Sequence, residues 1–420
     1  MRNYAKAAGV LSLSVATLFG AGYKIPEQSL NSTALSAAYV ANARGADASY
    51  YNPANMAFSP SGSDLEAAFT YIGLSKVKYT DTTGFTNESK SEQFFVPTFH
   101  YMSPEFNNWR FGLSLVAPGG LSKRWEDSYA KSTAQEFTLK IFELNPTASY
   151  KINDKFAIGF GLRAVYTDGK VKAENKYSVP GVELYSQDMT GDSIDFGYNL
   201  ALSYRPVKNL TLAATFRSKV DLTISGNAKG NINKYLLTGN TEDLGTLIPY
   251  NTHTTVTIPL PAALNLAVAY TMNKTTVELV YERTYWSAYK NLDFNFNSAI
   301  PEAVLGQVKP KNWKDTNTYR IGVTHQYNEK LKLMAGFALD ESPVPSNTLG
   351  FELPDSDAKL YSAGFEYKIN EKLKVGLAYL YDSKKSRTVT NRDATHTTAP
   401  NGTFTNTSAS LLTASFKYRF

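Results

Sequence analysis

The chain ends in the stretch Leu412-Thr413-Ala414-Ser415-Phe416-Lys417-Tyr418-Arg419-Phe420, in which apolar and polar residues alternate strictly and the last residue is aromatic. Alternation with a period of two indicates a β-strand that turns one face to an apolar medium and the other to water. A C-terminal strand that ends on an aromatic residue is typical of bacterial outer-membrane barrels. We therefore predict that this strand belongs to a transmembrane β-barrel.

The beginning of the chain supports export from the cytoplasm. Arg2 and Lys6 precede an apolar run at residues 7–19, and the small residues Gly20-Ala21-Gly22 follow it. This run is too short and wrongly flanked for a membrane anchor, but it has the three regions of a secretory signal peptide. We expect residues 1–20 to be a signal peptide that is cleaved between residues 20 and 22.

Composition excludes several classes of protein. The 420 residues include no cysteine, so disulfides, thiolate metal sites and a cysteine nucleophile are excluded. The four histidines show no metal-ligand spacing, and they are His100, His253, His325 and His396. The formal charge of +6 is spread along the chain without a basic block, so nucleic acid is not an expected partner. We expect no metal and no cofactor.

Six short polar segments separate alternating stretches, and their asparagines favour tight hairpins because asparagine tolerates left-handed backbone angles. They are Pro104-Glu105-Phe106-Asn107-Asn108, Asn153-Asp154-Lys155, Pro206-Val207-Lys208-Asn209, Asn273-Lys274, Asn328-Glu329-Lys330 and Asn370-Glu371-Lys372. Longer connections lie near residues 78–92, 119–136, 175–190, 229–250, 297–312, 343–356 and 387–404. Short turns on one side and long loops on the other are the outer-membrane pattern. These thirteen connections predict an all-β, fourteen-stranded antiparallel barrel.

Parity along the strands assigns the two faces of the wall. In the stretch 155–174, for example, Phe156, Ile158, Phe160 and Leu162 share the outward parity. The inward parity carries charges of both signs, namely Arg163, Asp195, Arg217, Asp221, Glu278, Glu282, Arg320 and Glu366. We expect most of these charges to pair with one another inside the lumen.

Residues 21–60 do not alternate. Apolar residues at helical spacing occur there at Leu30, Ala34, Leu35, Ala37, Ala38 and Ala41. Gly45 and Asn52-Pro53-Ala54 then interrupt this pattern. A structureless segment of about forty residues would be unusual, so we predict a helical hatch at residues 21–60 that fills the lumen of a barrel at residues 61–420.

Several motifs follow one another in a fixed order. They are Ala21-Gly22-Tyr23, Tyr51-Asn52-Pro53-Ala54, Gly161-Leu162-Arg163-Ala164-Val165-Tyr166, Ile258-Pro259-Leu260-Pro261, Trp313-Lys314-Asp315, Tyr319-Arg320-Ile321-Gly322, Phe337-Ala338-Leu339-Asp340-Glu341-Ser342-Pro343-Val344-Pro345 and Leu353-Pro354-Asp355. The segment from Asp340 to Pro345 is the most specific of them. With these motifs, nearly the whole mature chain resembles the FadL family of outer-membrane transporters for long-chain fatty acids and other hydrophobic compounds.

The resemblance implies a fourteen-stranded barrel with an N-terminal hatch and no through-pore. It also implies that ligand is captured at the outer loops, passes to an inner pocket and leaves sideways through a gap made by a kinked third strand. Pro118-Gly119-Gly120 lies at the position of that opening, although the residues alone are equally compatible with the start of a loop. The residues expected to gate the opening are Tyr23, Asn52, Pro53 and Ala54, together with Pro118, Gly119 and Gly120.

Two groups of residues are candidates for binding the ligand. Apolar residues in two outer loops suggest either a groove for an alkyl chain or a self-packed lid, and those we single out are Leu184, Tyr185, Leu236, Leu237, Leu247 and Ile248. The resemblance implies that Lys314 holds a carboxylate, and parity with Arg320 places it inward. The family's second basic residue falls on Ala173, where Lys172 or Lys176 are possible substitutes; Arg163 is a further candidate.

These observations predict passive transport of long-chain fatty acids across the outer membrane by a protein that is not an enzyme. Uptake of aromatic or other uncharged hydrocarbons by the same route is the alternative. A barrel-borne phospholipase would need a serine and a histidine in one geometry, and His100 has no partner signature nearby. A diffusion porin or adhesin fits poorly with a hatch and apolar loops. We expect a monomer whose partners are the hydrophobic ligand and outer-membrane lipid.

Overall fold

The computed structural model describes residues 22–60, 62–126, 130–176, 178–179, 181–392 and 401–420. The predicted signal peptide, its cleavage site at residues 20–22 and His396 are not within the described residues, apart from Gly22. Among the described residues no helix is long and apolar enough to cross a membrane.

Within the described residues, fourteen antiparallel strands form one closed wall in which each strand pairs with its neighbour in the chain and the last pairs with the first. They are β1 (Asp64–Leu74), β2 (Glu92–Met102), β3 (Trp109–Lys123), β4 (Glu136–Lys151), β5 (Phe156–Asn175), β6 (Tyr185–Val207), β7 (Leu210–Arg217 and Val220–Asn233), β8 (Leu247–Leu260 and Ala263–Met272), β9 (Thr275–Thr284), β10 (Thr316–Gln326), β11 (Leu331–Asp340), β12 (Ala358–Lys368), β13 (Leu373–Lys384) and β14 (Ser408–Arg419). The predicted fold and strand count are confirmed.

The two faces follow the predicted parity except at Asp221, which was predicted to face inward but is exposed and pairs with Lys219, because the interruption of β7 at residues 218–219 reverses the parity. On β6, Phe196 is 75% exposed on the outer wall, whereas Arg163 on β5 is only 2% exposed in the lumen. Large apolar side chains are exposed on the outside of nearly every strand, and a surface of that kind is stable only against lipid. Inside the lumen, Glu143 pairs with Arg163 and Arg217, and Glu366 pairs with three lysines. These acidic and basic groups therefore neutralise one another.

The short turns use asparagine in two different ways. Asn107, Asn108 and Asn273 have positive φ angles, as predicted. By contrast, the side-chain oxygens of Asn153, Asn328 and Asn370 each accept hydrogen bonds from backbone N–H groups two and three residues later. The second group stabilises its turns through the side chain rather than through a left-handed backbone.

The end of the barrel opposite the short turns is covered by long loops that contain strands and helices of their own. A four-stranded sheet joins Lys78–Asp81, Thr86–Glu88, Arg387–Val389 and Gly402–Thr405, while Asn291–Leu292 pairs with Lys309–Pro310 and Phe294–Phe296 pairs with β8. Short α-helices lie at Lys131–Ala134, Tyr235–Thr238 and Ala299–Leu305, and 3₁₀ turns lie at Thr241–Asp243, Trp286–Ala288 and Ser346–Thr348. Several strands are longer than predicted, since β3 runs to Lys123, β6 begins at Tyr185 and β7 ends at Asn233.

The segment that precedes β1 fills the lumen as a hatch. It contains two short helices, α1 (Leu30–Ala34) and α2 (Ala48–Tyr51), and a 3₁₀ helix at Pro53–Phe58. Wall glycines make room for it: a Cβ added at any of them would collide with a hatch residue, and they are Gly112, Gly159, Gly322, Gly336, Gly364 and Gly376. The hatch is thus packed against the bare backbone of several strands rather than suspended in water.

Polar contacts fix the hatch to the wall. The Glu278 carboxylate on β9 accepts hydrogen bonds from three consecutive hatch N–H groups, beginning with Val40 at 2.7 Å. The Arg110 guanidinium on β3 donates to the carbonyls of Ser59 and Pro60 at 3.0 and 2.7 Å. Charge-assisted bonds of this kind are stronger than neutral ones, so the middle and the C-terminal end of the hatch are held.

Candidate functional site

The wall is interrupted between β2 and β3. These strands pair only from Phe99 opposite Leu115 to Met102 opposite Gly112. Beyond that point, residues 92–98 of β2 pair with β1 alone, and residues 116–123 of β3 pair with β4 but not with β2. We call the space between residues 92–98 and 116–123 the wall gap.

A bulge in β3 accompanies the gap. Val116 lies opposite Glu143 on β4, but Gly119 lies opposite Ile141, so Ala117 and Pro118 together face only Phe142. An extra residue bends a strand and changes its twist, and proline has no N–H to donate to a neighbouring strand. The alternative interpretation, in which Pro118-Gly119-Gly120 begins a loop, is therefore wrong, since the strand continues through it to Lys123.

The outer end of the gap is closed by polar contacts. The Glu92 carboxylate at the start of β2 accepts hydrogen bonds from Ser122 Oγ at 2.9 Å and from the Arg124 guanidinium at 3.0 and 3.1 Å. The Lys90 N–H also donates to the carbonyl of Arg124. The gap is consequently a window with a lower edge at Leu115 and an upper edge at Glu92.

The hatch covers this window from the inside with residues Tyr23–Gln28, which we call the gate segment. The Ile25 N–H donates to the Pro118 carbonyl at 2.9 Å, and the Gly120 N–H donates to the Tyr23 carbonyl at 2.9 Å. The Gln28 amide bonds both the N–H and the carbonyl of Ala117 at 2.7 and 2.8 Å. A Cβ at Gly119 would lie 2.9 Å from the Tyr23 carbonyl, so this approach requires glycine.

The gate segment is anchored by an aromatic cage. Tyr23 is buried, with ring-centroid distances of 4.8 Å to Trp286 and 5.7 Å to Trp313, and its hydroxyl donates to the Pro259 carbonyl. The Gly22 N–H donates to Asp355 at 3.2 Å. Pro259, Trp313 and Asp355 belong to three separate motifs of the sequence, and the fold brings them together around the start of the hatch.

Glu27 in the gate segment makes the stability of the hatch in its packed position sensitive to pH. It is 3% exposed, and neither carboxylate oxygen has a hydrogen-bond partner among the described residues. Burial raises the pKa of Glu27 to about 7, an effect that Arg320 opposes and that Asp382 and Asp340 reinforce. Glu27 is thus protonated in the seated hatch at mildly acidic pH.

We expect the seated hatch to lose stability as pH rises from about 4.5 to above 7, because the buried carboxyl must then give up its proton. The loss is on the order of 3 kcal/mol for a pKa raised to about 7. Protection factors from hydrogen exchange of the gate segment at pH 4.5 and 8.5, which correct for the intrinsic pH dependence of exchange, measure it. Glu27→Gln, which stays neutral, should remove the difference between the two pH values; a difference that persists in this variant would show that another group is responsible.

A cavity of about 80 Å³ lies among the outer loops; we call it the loop cavity. Its apolar lining includes Phe137, Val171, Leu292, Phe294, Leu349 and Phe351, and its charged lining consists of Lys309, Lys311, Arg392 and Glu352. Lys311 pairs with Glu352, whereas half-buried Lys309 has no ion pair within the described chain. Burial, and then the neighbouring Lys311, lower the pKa of Lys309.

A second, almost wholly apolar pocket adjoins the loop cavity and shares Phe137, Val171 and Phe294 with it. Its volume is about 30 Å³, and its other apolar lining residues include Leu139, Met189, Ile224, Val256 and Ile258. We call it the apolar pocket. Together the two cavities offer an unpaired ammonium next to a hydrocarbon surface, which suits an amphipathic anion.

The structure places the predicted basic residues differently from expectation. Lys314 is exposed and precedes β10, so the parity that placed it inward does not extend to it; that orientation is wrong, and the lysines near the cavity are Lys309 and Lys311. Lys172 is engaged by Asp188 at 3.1 Å. Arg163 donates to Glu143 at 3.0 Å and to the Ser218 carbonyl, so it too is already satisfied.

The apolar loop residues divide into two groups. Leu184 is buried, and Tyr185 and Leu236 pack against the core, so these three form a lid. Leu237 and Leu247 are 38% and 39% exposed, and Ile248, which follows Leu247, is half-buried. Only the second group presents apolar surface to an arriving ligand.

The Asn52-Pro53-Ala54 motif anchors the hatch to β5 and β6. The Asn52 amide donates to Ser203 on β6 at 2.9 Å, and a Cβ at Gly159 on β5 would lie 2.5 Å from the Ala54 nitrogen. His100 is buried, with its two ring nitrogens bonded to Ser114 and to the Gln28 carbonyl. It therefore belongs to the contact between wall and hatch and is not presented to solvent as a catalytic base would be.

Comparison with known proteins agrees with this geometry. Residues 11–420 match the family model described as outer membrane protein transport protein (OMPP1/FadL/TodX). The long-chain fatty acid transport protein of Escherichia coli O6:H1 is 26% identical over 346 residues, which cover 73% of this chain and 74% of that protein. Outer membrane protein P1 of Haemophilus influenzae is 23% identical over 317 residues, covering 68% and 65% of the two chains.

Solved structures show the same fold. A Pseudomonas aeruginosa FadL homologue superposes with a TM-score of 0.82 at 18% identity, covering 95% of this chain and 100% of that one. The Pseudomonas putida toluene transporter TodX superposes with a TM-score of 0.71 at 19% identity, covering 93% and 98%. The chain therefore belongs to the OMPP1/FadL/TodX family and is an outer-membrane β-barrel transporter of hydrophobic compounds.

Proposed function

We propose that the protein transports long-chain fatty acids passively, by capture at the outer loops, transfer to the loop cavity and apolar pocket, and sideways release through the wall gap. The observation that carries this proposal is the loss of pairing between β2 and β3 above Leu115, with the gate segment bonded to the bulge beside it. A hydrophobic solute that reaches the lumen has a lateral path to lipid there, whereas the hatch blocks a path to the periplasm.

The loop cavity supports an anionic cargo. A fatty-acid carboxylate next to Lys309 would form a charge-assisted hydrogen bond, and the alkyl chain would extend past Phe137 and Phe294 into the apolar pocket. Each methylene transferred from water contributes about 0.8 kcal/mol. Binding pockets usually measure about 300–1,000 Å³, so both cavities must widen by movement of the loops as ligand enters.

Replacing Lys309 with methionine should weaken binding of oleate by about 1.5–3 kcal/mol, the range for a hydrogen bond to a charged group. Binding of oleyl alcohol should be nearly unchanged, because methionine keeps the apolar contacts. Equilibrium titration of the purified protein with both ligands measures the two values.

Lys314→Met is the matched control, since Lys314 lies five residues away but is exposed. We expect this variant to bind both ligands normally. Weaker binding of oleate alone in Lys314→Met, with no change in Lys309→Met, would show that Lys314 binds the carboxylate. Equal losses of both ligands in Lys309→Met would show that Lys309 acts through packing.

Uptake of aromatic hydrocarbons is the second candidate function. The apolar pocket favours it, because a volume of about 30 Å³ bordered by Phe137 and Phe294 suits a compact ligand better than a long chain. Two solved structures with the same fold are those of toluene transporters, TbuX and TodX. Tighter binding of toluene than of oleate by the unmodified protein would favour this function over fatty-acid transport.

A further inference from the structure

Lys123 is a buried cation at the outer end of the wall gap. It is the last residue of β3, it is 1% exposed, and it is one of the largest fully buried side chains of the described chain. Its ammonium has a single polar contact, to Ser89 Oγ at 3.5 Å. Among the described residues no carboxylate lies within ion-pair distance of it.

The nearest carboxylate is already occupied. Glu92, across the gap on β2, binds the Arg124 guanidinium through both oxygens and also accepts from Ser122. Three other buried cations of the described chain are paired directly: Arg163 lies 2.9 Å from Glu143, and Lys311 and Lys384 pair with Glu352 and Asp355. Lys123 therefore differs from them in having no carboxylate partner within the described chain.

A buried ammonium without an anion is costly, and the cost falls when an oxyanion provides charge and hydrogen-bond acceptors. Cargo that leaves sideways passes between β2 and β3, where Lys123 and Glu92 frame the exit. We propose that Lys123 binds the carboxylate of anionic cargo as it crosses the wall gap, and so helps to determine which hydrophobic compounds leave by this route. This inference rests on the proposed function.

The test compares oleate with oleyl alcohol, which have the same chain length and differ in the head group. Lys123→Met should lower oleate uptake by cells about tenfold or more, as expected when a hydrogen bond to a charged group is lost. Uptake of oleyl alcohol should stay within about twofold of the unmodified protein by the same reasoning. Lys123→Arg, which keeps the charge, should restore most of the oleate uptake.

The same experiment includes two controls for an effect of the substitution on folding. Methionine fills a similar volume and removes an unpaired buried charge, so thermal unfolding of Lys123→Met should occur at the same temperature or higher. Lys140→Met is the matched control, because Lys140 lies on the neighbouring strand but is paired with Asp168 at 3.3 Å. It should transport both compounds normally.

The proposal would be overturned if Lys123→Met lowered the uptake of oleate and of oleyl alcohol equally, or if it did not lower the uptake of oleate. A loss of co-purifying phospholipid phosphate with unchanged oleate uptake would also overturn it, and would assign Lys123 to membrane lipid. Removal of the bulge at Pro118 separates this outcome from failure of the route itself. If that change blocks both compounds while Lys123→Met has no selective effect, the route stands and only the role of Lys123 fails.

Discussion

Deleting Pro118 is expected to abolish uptake of hydrophobic compounds while leaving a folded barrel in the outer membrane. Ala117 and Pro118 face only Phe142 on β4, so removing one residue restores the register of β3 against β4 without a bulge. The straightened strand can then continue its pairing with β2 above Leu115, which closes the wall gap. Uptake of labelled oleate by cells that depend on this protein measures the effect.

Pro118→Ala is the control for that experiment. It removes the ring but keeps the extra residue, so the bulge and the contact between the Ile25 N–H and the carbonyl of residue 118 should persist. We expect this variant to retain uptake. Normal uptake by the deletion variant, with correct insertion and heat stability, would mean that cargo does not leave through the wall gap.

The architecture could be predicted from the sequence because lipid and water impose a period of two on every strand. Outward Phe196 and inward Arg163 follow directly from that period. The polar turns then give the number of strands, since they recur between alternating stretches. The hatch is also visible, as a segment at residues 21–60 that lacks the period.

The functional site is less visible because it depends on contacts between distant segments. Pro118-Gly119-Gly120 has the composition of a loop, and only the hydrogen bonds from β4 and from the gate segment keep it in a strand. Parity predicts an orientation only within a strand, which is why it misplaced Lys314 in front of β10. Ser122-Lys123-Arg124 is polar and resembles a loop, and nothing in it indicates that Lys123 is buried.

Removing the hatch is expected to turn the closed barrel into an open channel. Each of the fourteen strands pairs with its neighbours without it, and lumen charges such as Glu143 and Glu366 keep basic partners on neighbouring strands. Deletion of residues 24–58 should therefore give stable single-channel steps in planar bilayers, where the full chain should give none. Absence of conductance in a folded deletion variant would show that the loops alone close the lumen.

Gly336→Val tests the packing of the hatch against β11. A Cβ at Gly336 would lie 2.1 Å from the carbonyl carbon of Leu35, so the side chain must push the hatch away from β11. In the full chain we expect lower thermal stability and the appearance of conductance. In the hatch-deleted barrel the same substitution faces only water and should change neither property. An equal loss of stability in both backgrounds would place the defect in the wall, because independent effects add whereas coupled ones do not.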